Sequence, residues 1–229
     1  MARKLVVAIP DMHLPWTSWK NVEKVYDFIG SHPVDVIIQL GDLYDLFSYS
    51  KFARSQDEIK PHEEIDLAQE SAASFWKAIH KIAPKAEKKL LIGNHGERLY
   101  KRACERWPEI AKFVAKLQAD IHTFPNVETI HDGRAGVFID DVLYIHGYLT
   151  QLGQHMRSLG ANVVHGHTHR AGILIEQHMG KKLFELDCGY LADPNAVPLQ
   201  YGPTKHIKWV QGFGVIDKFG PRFISTEAA

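Results

Sequence analysis

Short apolar runs alternate with amphipathic stretches in the first part of the chain. Leu5–Ile9 and Val36–Leu40 are rich in β-branched residues and too short for helices, so each predicts a buried strand. Between them, apolar residues recur at helical spacing from Trp19 to Ile29, after a threonine and a serine that can cap a helix. The order strand, helix, strand indicates a parallel β-α-β unit.

The same alternation continues through the middle of the chain. Pro61 opens a helix with apolar residues on one face, and this helix ends near Pro84. The short apolar run Leu90–Ile92 predicts a third strand. A further helix is predicted over Gly96–Arg106, with a second helical piece after Pro108.

The second half of the chain is richer in strands. Val137–Ile145 predicts a hairpin that turns at two aspartates, Thr150–Leu159 a short helix, and Asn162–Val164 a brief strand. The remaining apolar stretches predict antiparallel strands: Ile173–His178, Leu183–Cys188, Trp209–Ile216 and Arg222–Ile224. We therefore expect one α/β domain over residues 1–229, with two sheets packed together and helices outside them.

Composition narrows the class of protein. An apolar fraction of 45% is enough for a globular core, and 27 basic residues balance 27 acidic ones, so no overall charge attracts nucleic acid or a membrane. Two cysteines give no disulfide framework and favour a reducing compartment. Because no apolar stretch approaches the ~18 residues of a membrane span, we expect a soluble, cytoplasmic protein with no membrane partner.

Seven candidate metal ligands and one candidate proton donor, His95, follow five of the predicted strands, at the edge where α/β sheets bind ligands. They are Asp11, His13, Asp42, Asn94, His95, His146, His167 and His169. Single H-x-H pairs arise by chance in a chain with fourteen histidines, but each of these residues follows a short apolar run. Imidazole, carboxylate and amide oxygen together suit Mn, Fe, Zn or Ni. Seven ligands exceed one tetrahedral site with an open position, whereas two ions that share a carboxylate would use them all.

The ordered set D-x-H, G-D, G-N-H, H-G and G-H-x-H resembles the calcineurin-like metallophosphoesterase superfamily. The likeness spans Asp11 to His169, most of the chain. The aromatic residues after Asp42 and the late stretch from Trp209 to Phe213 are most similar to small phage and bacterial members. The resemblance implies a four-layer α/β/β/α sandwich of two mixed sheets flanked by helices.

The resemblance also implies a role for each motif residue. It implies three ligands for a first metal ion: Asp11, His13 and His169. It implies three for a second: Asn94, His146 and His167. Asp42 would bridge the two ions, and His95 would be the proton donor or stabilise the transition state. Members commonly carry an acidic residue directly after G-N-H, where this chain has Gly96; Glu97 either replaces it or is an exposed helix residue.

The expected function is a dinuclear metal-dependent phosphoesterase, with Mn the first choice of metal. A water shared by the two ions would give a bridging hydroxide, and the site would keep a net positive charge that attracts a phosphoester. Phosphodiesters of nucleotide or nucleic-acid type are the expected substrates. The alternatives are a phosphomonoesterase, including a protein phosphatase, and a binding scaffold, although a scaffold should lack ligands that are all present here.

Several basic and aromatic residues are candidates for substrate contact. Three could touch the substrate directly: Arg98, Tyr148 and Arg170. Arg98 also begins a basic stripe with Lys101, Arg102 and Arg106, which is either a rail for an extended anion or a solvated helix face. Lys205 and His206 are weaker candidates. Leu43–Lys60 has no clear period and is rich in aromatic residues, so it is either a lid over the site or a loop packed on the body.

Overall fold

Eleven strands form two sheets in the computed structural model, which describes residues 3–50, 59–199 and 208–227. The strands are β1 (Val6–Ile9), β2 (Val36–Gln39), β3 (Glu87–Leu91), β4 (Glu128–Ile130), β5 (Val137–Ile139), β6 (Val142–Tyr144), β7 (Asn162–His165), β8 (Ala171–His178), β9 (Lys181–Cys188), β10 (Gly212–Asp217) and β11 (Gly220–Ser225). The helices are α1 (Trp19–Ser31), α2 (Pro61–Ile82), α3 (Arg98–Arg106), α4 (Ala111–Ile121) and α5 (Gln154–Leu159).

Both sheets are mixed. The first has the strand order β11-β10-β1-β2-β3-β4, in which β1 to β4 are parallel and β10 and β11 are antiparallel additions beside β1. The second has the order β5-β6-β7-β9-β8, with β6, β7 and β9 parallel and an antiparallel strand at each edge. This arrangement confirms the predicted α/β fold of two mixed sheets flanked by helices.

The first sheet is buried on both faces, which explains its continuous apolar strands. Val7 and Ile9 of β1 pack in a core shared with helices α1 to α4. Their neighbours Val6 and Ala8 face the other way, into a core shared with the second sheet. Successive side chains of a strand point to opposite faces, so one four-residue strand supplies both cores.

The helical layer outside the second sheet is thin. Phe184 and Leu186 of β9 face the first sheet, so Glu185 between them lies on the opposite face. There the short helix α5 packs against β7 and β9. Within the described residues, no helix is both long and apolar enough to cross a membrane.

Several elements differ from the sequence-based expectation. The late strands β10 and β11 join the first sheet, β9 is parallel to β7, and the short strand β4 was not predicted. Helix α3 begins at Arg98 and not at Gly96, because the residues before it form the turn that carries the G-N-H motif. Helix α5 begins at Gln154 and not at Thr150, because Gly153 has a φ of 90°, outside the helical range.

The first part of the Leu43–Lys60 segment packs on the body of the protein. Leu43, Leu46 and Phe47 are buried in the described structure. The buried carboxylate of Glu64 on α2 accepts hydrogen bonds from the backbone N–H groups of Phe47 (2.5 Å) and Ser48 (2.8 Å). Residues 51–58 lie outside the described part of the chain, as do Lys205 and His206, so a lid stays a prediction for that stretch alone.

Candidate metal centre

The motif residues lie together at the carboxyl ends of five parallel strands. β1, β2 and β3 carry the first five of them, and β6 and β7 of the second sheet carry the other three. Both sheets therefore contribute to one centre, at the edge where strand order predicts a ligand site. In three overlapping groups, one possible ligand atom from each residue lies within 4.8 Å of those of the others: Asp11, His13 and His169; His13, Asp42 and His95; and Asp42, His146 and His167.

The first group contains the two motifs that are furthest apart in the chain. His13 Nε2 lies 2.9 Å from His169 Nε2, and His169 Nε2 lies 3.6 Å from Asp11 Oδ1. Asp11 is fully buried, and its carboxylate also accepts a hydrogen bond from the backbone N–H of His167 (2.9 Å). The carboxylate therefore fixes the loop that carries two further candidate ligands.

The ligands expected for the second ion form another group, which is organised around Asn94. Its Oδ1 lies 2.8 Å from His146 Nε2 and 2.9 Å from His167 Nδ1. Asp42 Oδ2 lies 3.3 Å from His146 Nε2, and Asp42 Oδ1 accepts a hydrogen bond from the backbone N–H of His95 (2.8 Å). Because Asp42 belongs to a group on each side, it has the position that a bridging carboxylate requires.

The donor atoms fit divalent cations. His13 Nδ1 faces Asp45 Oδ2 at 2.9 Å, and His146 Nδ1 faces the carbonyl oxygen of Leu40 at 3.0 Å, so in both rings this nitrogen carries the proton. When each ring is neutral, its Nε2 has a lone pair, and the two Nε2 atoms face His169 Nε2 and Asn94 Oδ1. A cation that displaced the remaining protons from these atoms would be coordinated by them.

The electrostatic environment of the centre also favours the binding of a cation. Burial would lower the pKa of His146, but the carboxylate of Asp42 raises the pKa to about 9. Burial would raise the pKa of Asp42, yet the surrounding histidines hold this pKa well below its usual value. The pKa of His167 is lowered to about 4 by burial and by its neighbour His146. The centre thus holds an ionised carboxylate that stabilises positive charge.

The loops reach this geometry with unusual backbone conformations. Four candidate ligands have a positive φ, which non-glycine residues rarely adopt: His13, Asp42, His167 and His169. Two motif glycines allow close approach: a Cβ on Gly93 would lie 2.2 Å from Asp42 Oδ1, and a Cβ on Gly166 would lie 2.0 Å from Asp11 Oδ2. Strained residues of this kind cluster at functional sites.

Asp45 is a buried carboxylate beside His95 and His13, and sequence reasoning missed it. Asp45 Oδ2 lies 3.3 Å from His95 Nδ1 and 2.9 Å from His13 Nδ1. Arg98 donates hydrogen bonds to Asp45 Oδ1 and to His95 Nε2, both at 2.8 Å. Burial would raise the pKa of Asp45, but the charges on His95 and His13 hold it below its usual range. In the sequence, the signal that could have identified Asp45 was its position three residues after Asp42.

The close packing around Gly96 explains why a glycine occupies this position. A Cβ at this position would lie 2.9 Å from His122 Nε2 and 2.9 Å from Ile92 Cγ2, so a larger residue requires both neighbours to shift. Glu97, the alternative support for His95, binds Lys101 instead (2.5 Å).

Two aromatic rings, those of Tyr190 and Trp209, pack against the ring of His169. Tyr190 is stacked on the His169 ring with a centroid distance of 5.1 Å, and Trp209 meets it edge-on at 4.4 Å. The backbone N–H of Val210 also donates to the carbonyl oxygen of His169 (2.9 Å). The late motif that begins at Trp209 therefore positions a candidate ligand.

A fourth group, His155, His165 and Glu185, has ligand-type atoms within 4.8 Å but is a buried hydrogen-bond network. His155 Nε2 accepts from the backbone N–H groups of Tyr148 and Leu149, both at 3.1 Å. Its other nitrogen, Nδ1, must then carry the proton and has no lone pair for a metal. His165, expected to be a strand residue and not a ligand, lies in β7 with its Nε2 3.2 Å from Glu185 Oε1.

Two clefts open beside Asn94. The smaller, about 110 Å³, is lined by the second group of ligands and by Glu97, Arg134 and Tyr148. The larger, which we call the α3 groove, measures about 300 Å³, and its lining is Tyr49, Ser50, Asn94, Arg98, Lys101, Arg102 and Glu105. Arg98 lines the α3 groove and Tyr148 lines the smaller cleft, so contact of either with a substrate stays a prediction. Arg170 lines neither cleft in the described structure, and its Nη1 donates to the carbonyl oxygen of Thr150 (3.2 Å).

Comparison with known proteins gives phage relatives. The chain is 24% identical to the Gene 54 protein of Mycobacterium phage D29 over 235 residues, which cover 93% of this chain and 88% of that protein. It is also 24% identical to the Gene 54 protein of Mycobacterium phage L5, with the same coverage of both chains. These relatives agree with the predicted likeness to phage members.

A solved structure shares the fold at low sequence identity. It superposes with a TM-score of 0.52 at 13% identity and covers 99% of this chain and 100% of its own. Vacuolar Protein Sorting 29 from Cryptosporidium parvum gives a TM-score of 0.45 at 13% identity, over 98% of this chain and 97% of that one. The sequence model described as calcineurin-like phosphoesterase matches residues 4–219, a range that contains all the motif residues. The chain therefore belongs to the calcineurin-like phosphoesterase family.

Proposed function

We propose that this protein hydrolyses phosphodiesters with two divalent metal ions, manganese being the first choice. The observation that carries the proposal is the position of Asp42, which shares one ligand group with His13 and another with His146 and His167. Asp11 and His169 complete the first site, and Asn94 completes the second.

The bound ions would polarise the phosphoryl oxygens and lower the pKa of a water that they share. The chain's own residues supply orientation. Asp45 and the carbonyl oxygen of Leu40 fix the rings of His13 and His146, so that each ring presents Nε2 to the centre. Outer partners of this kind set the tautomer and basicity of a ligand histidine.

His95 and Arg98 act as a pair on the phosphoryl group. His95 Nε2 accepts a hydrogen bond from Arg98 in this structure, so Nε2 carries a lone pair and Nδ1 carries the proton near Asp45. For Nε2 to give a proton to a leaving oxygen, Arg98 must turn from His95 to the substrate, and Nε2 must first take up a proton from solvent, which makes the ring an imidazolium. The guanidinium would then stabilise the negative charge that develops on the phosphoryl oxygens.

The two clefts support a diester in preference to a monoester. Asn94 is the one described residue that lines both, and they measure about 110 Å³ and about 300 Å³. A phosphoryl group bound beside Asn94 therefore has room for one substituent in each cleft. A monoester would leave one cleft without a substrate group.

A hydrolysis panel with metal analysis tests the proposal. The metal-loaded protein should contain two ions per chain and hydrolyse bis(p-nitrophenyl) phosphate faster than p-nitrophenyl phosphate in added Mn²⁺. Asp42→Asn and Asp42→Ala should abolish turnover, because both sites lose the shared carboxylate. A fully active Asp42→Ala variant would end the dinuclear proposal, and faster cleavage of the monoester would favour a phosphomonoesterase.

A further inference from the structure

We propose that the α3 groove binds a second phosphate group of the substrate, next to the one that is hydrolysed. This inference rests on the proposed function and names the class of substrate: a diester with at least one additional phosphate. The groove and the metal centre share Asn94, whose Oδ1 is within 2.9 Å of two candidate ligand rings. A substituent that leaves the centre on this side therefore enters the groove directly.

The groove has the charge that a phosphate requires. Among the described residues, its lining has three cations, Arg98, Lys101 and Arg102, and one carboxylate, Glu105. These side chains follow at helical spacing of three or four residues on α3, so they project from one face of the helix. A rigid helix thus presents the row of cations toward one side of the centre.

The two outer cations are available to a ligand. Lys101 pairs with Glu97, and Arg102 pairs with Glu105 at 3.6 Å, but all four side chains are at least one-third exposed. Surface ion pairs are weak because water screens them, whereas phosphate accepts several charge-assisted hydrogen bonds at once. Arg98 differs, since it is held by Asp45 and His95 and marks the inner end of the groove.

Two sources offer this chemistry, a nucleic-acid strand and a free dinucleotide with a terminal phosphate. Both place a phosphate close to the scissile one, and Tyr49 provides an aromatic ring in the same groove. The rival interpretation is a solvated helix face, for which charge on α3 has no effect on substrate choice.

The test compares substrates that differ by one phosphate. The full-length, Mn²⁺-loaded protein is assayed on a dinucleotide without a terminal phosphate and on the same dinucleotide phosphorylated at either end. We expect one phosphorylated form to be cleaved with a kcat/KM about tenfold higher, as one charge-assisted contact would give. Lys101→Glu and Arg102→Glu should remove this preference.

Arg106→Glu is the matched control. Arg106 lies on the same helix and is exposed, but it does not belong to the described lining of the groove. This variant has the same change in charge and should keep the tenfold preference. If either charge reversal prevents folding, Lys101→Gln and Arg102→Gln test the same contacts, and melting temperature identifies the folded variants.

The outcomes separate this inference from the proposed function. Hydrolysis of bis(p-nitrophenyl) phosphate should be equal in all folded α3 variants, and its absence in the unsubstituted protein would contradict the proposed function. Hydrolysis without a phosphate preference, or a preference that survives Lys101→Glu and Arg102→Glu, overturns the groove alone. A preference that grows with oligonucleotide length identifies a strand, and one that is already complete in the phosphorylated dinucleotide identifies a free dinucleotide.

Discussion

At the scale of single residues, His95 lies between two charged side chains, those of Asp45 and Arg98. Asp45 lies beside its Nδ1 and Arg98 donates to its Nε2. Each ring nitrogen thus has a defined neighbour, so the direction in which His95 can give a proton is fixed by its surroundings. This arrangement leads to a prediction about the leaving group.

His95→Asn should retain both metal ions and lose about 10²- to 10⁴-fold of kcat on alkyl or nucleotide esters, the usual contribution of a positioned acid. The loss should be far smaller on a nitrophenyl ester, because nitrophenolate leaves without a proton. Asp45→Asn should show part of the same dependence, since Asp45 orients the ring. Equal losses on both classes would mean that His95 acts by charge or position and not as an acid.

Gly166→Ala should disrupt the centre through one added carbon. The new Cβ would lie 2.0 Å from Asp11 Oδ2, and Asp11 is fully buried, so its carboxylate must leave its position. We expect a loss of bound metal and a destabilisation of about 1–3 kcal/mol, as in other overpacked sites. Metal analysis and denaturant unfolding measure both effects.

Gly30→Ala is the control for that substitution. A Cβ on Gly30 would lie 3.4 Å from Ile82 Cγ2, and Gly30 is inside helix α1, where alanine is favoured over glycine. It should keep full metal content and equal or greater stability. Full metal content in Gly166→Ala would contradict the close approach seen here.

At the scale of elements, Glu185 joins β9 to α5 and β7. Its carboxylate accepts hydrogen bonds from the N–H groups of Gly153 (2.8 Å) and Met156 (2.7 Å), where α5 begins, and faces His165. Burial would raise the pKa of Glu185, but hydrogen bonds with His155, His165 and Met156 hold this pKa below its ordinary value of 4.5.

Glu185→Gln should therefore change stability in a pH-dependent way. A carboxyl whose folded-state pKa is lowered stabilises the protein above pH 4.5, and this contribution is lost as the pH falls through the folded value. The variant should lose about 3 kcal/mol of unfolding free energy at pH 7 and show a flatter decline below pH 4.5. Glu176→Gln, which removes an exposed pair with Arg157, should cost at most about 1 kcal/mol.

At the scale of the whole molecule, the candidate centre connects the two sheets. Asp11, His13, Asp42 and Asn94 follow strands of the first sheet, and His146, His167 and His169 follow strands of the second. Metal ions bound by both sets would cross-link the layers. Their binding should consequently stabilise the entire fold and not one loop.

Removal of metal should lower the melting temperature, and Mn²⁺ should restore it. Binding at a hundred times the dissociation constant contributes about 2.7 kcal/mol for one site. The stabilisation should shrink in acid, because imidazole must be deprotonated to bind a metal. Thermal unfolding with chelator or Mn²⁺ at pH 5 and pH 7.5 measures this, and a melting temperature that is independent of metal would argue against cross-linking. The melting temperature of the Asp42→Ala variant, which lacks the shared ligand, should change little between chelator and Mn²⁺.

The sequence by itself determined the local elements and the residues at their ends. Apolar periodicity located β1, β2 and helices α1 and α2 to within a few residues, because that signal depends on neighbours in the chain. It also placed all eight motif residues after short strands, so their meeting at one edge followed from the rule that parallel strands share a carboxyl edge.

Only the tertiary structure decided which distant elements are partners. It placed β10 beside β1, Asp45 against His95, and Glu185 between α5 and His165. It also separated the metal groups from the His155 network, which has the same residue types, through two backbone N–H groups that occupy one ring nitrogen. Strand pairing and side-chain hydrogen bonds join residues far apart in sequence, and such contacts leave no periodic pattern along the chain.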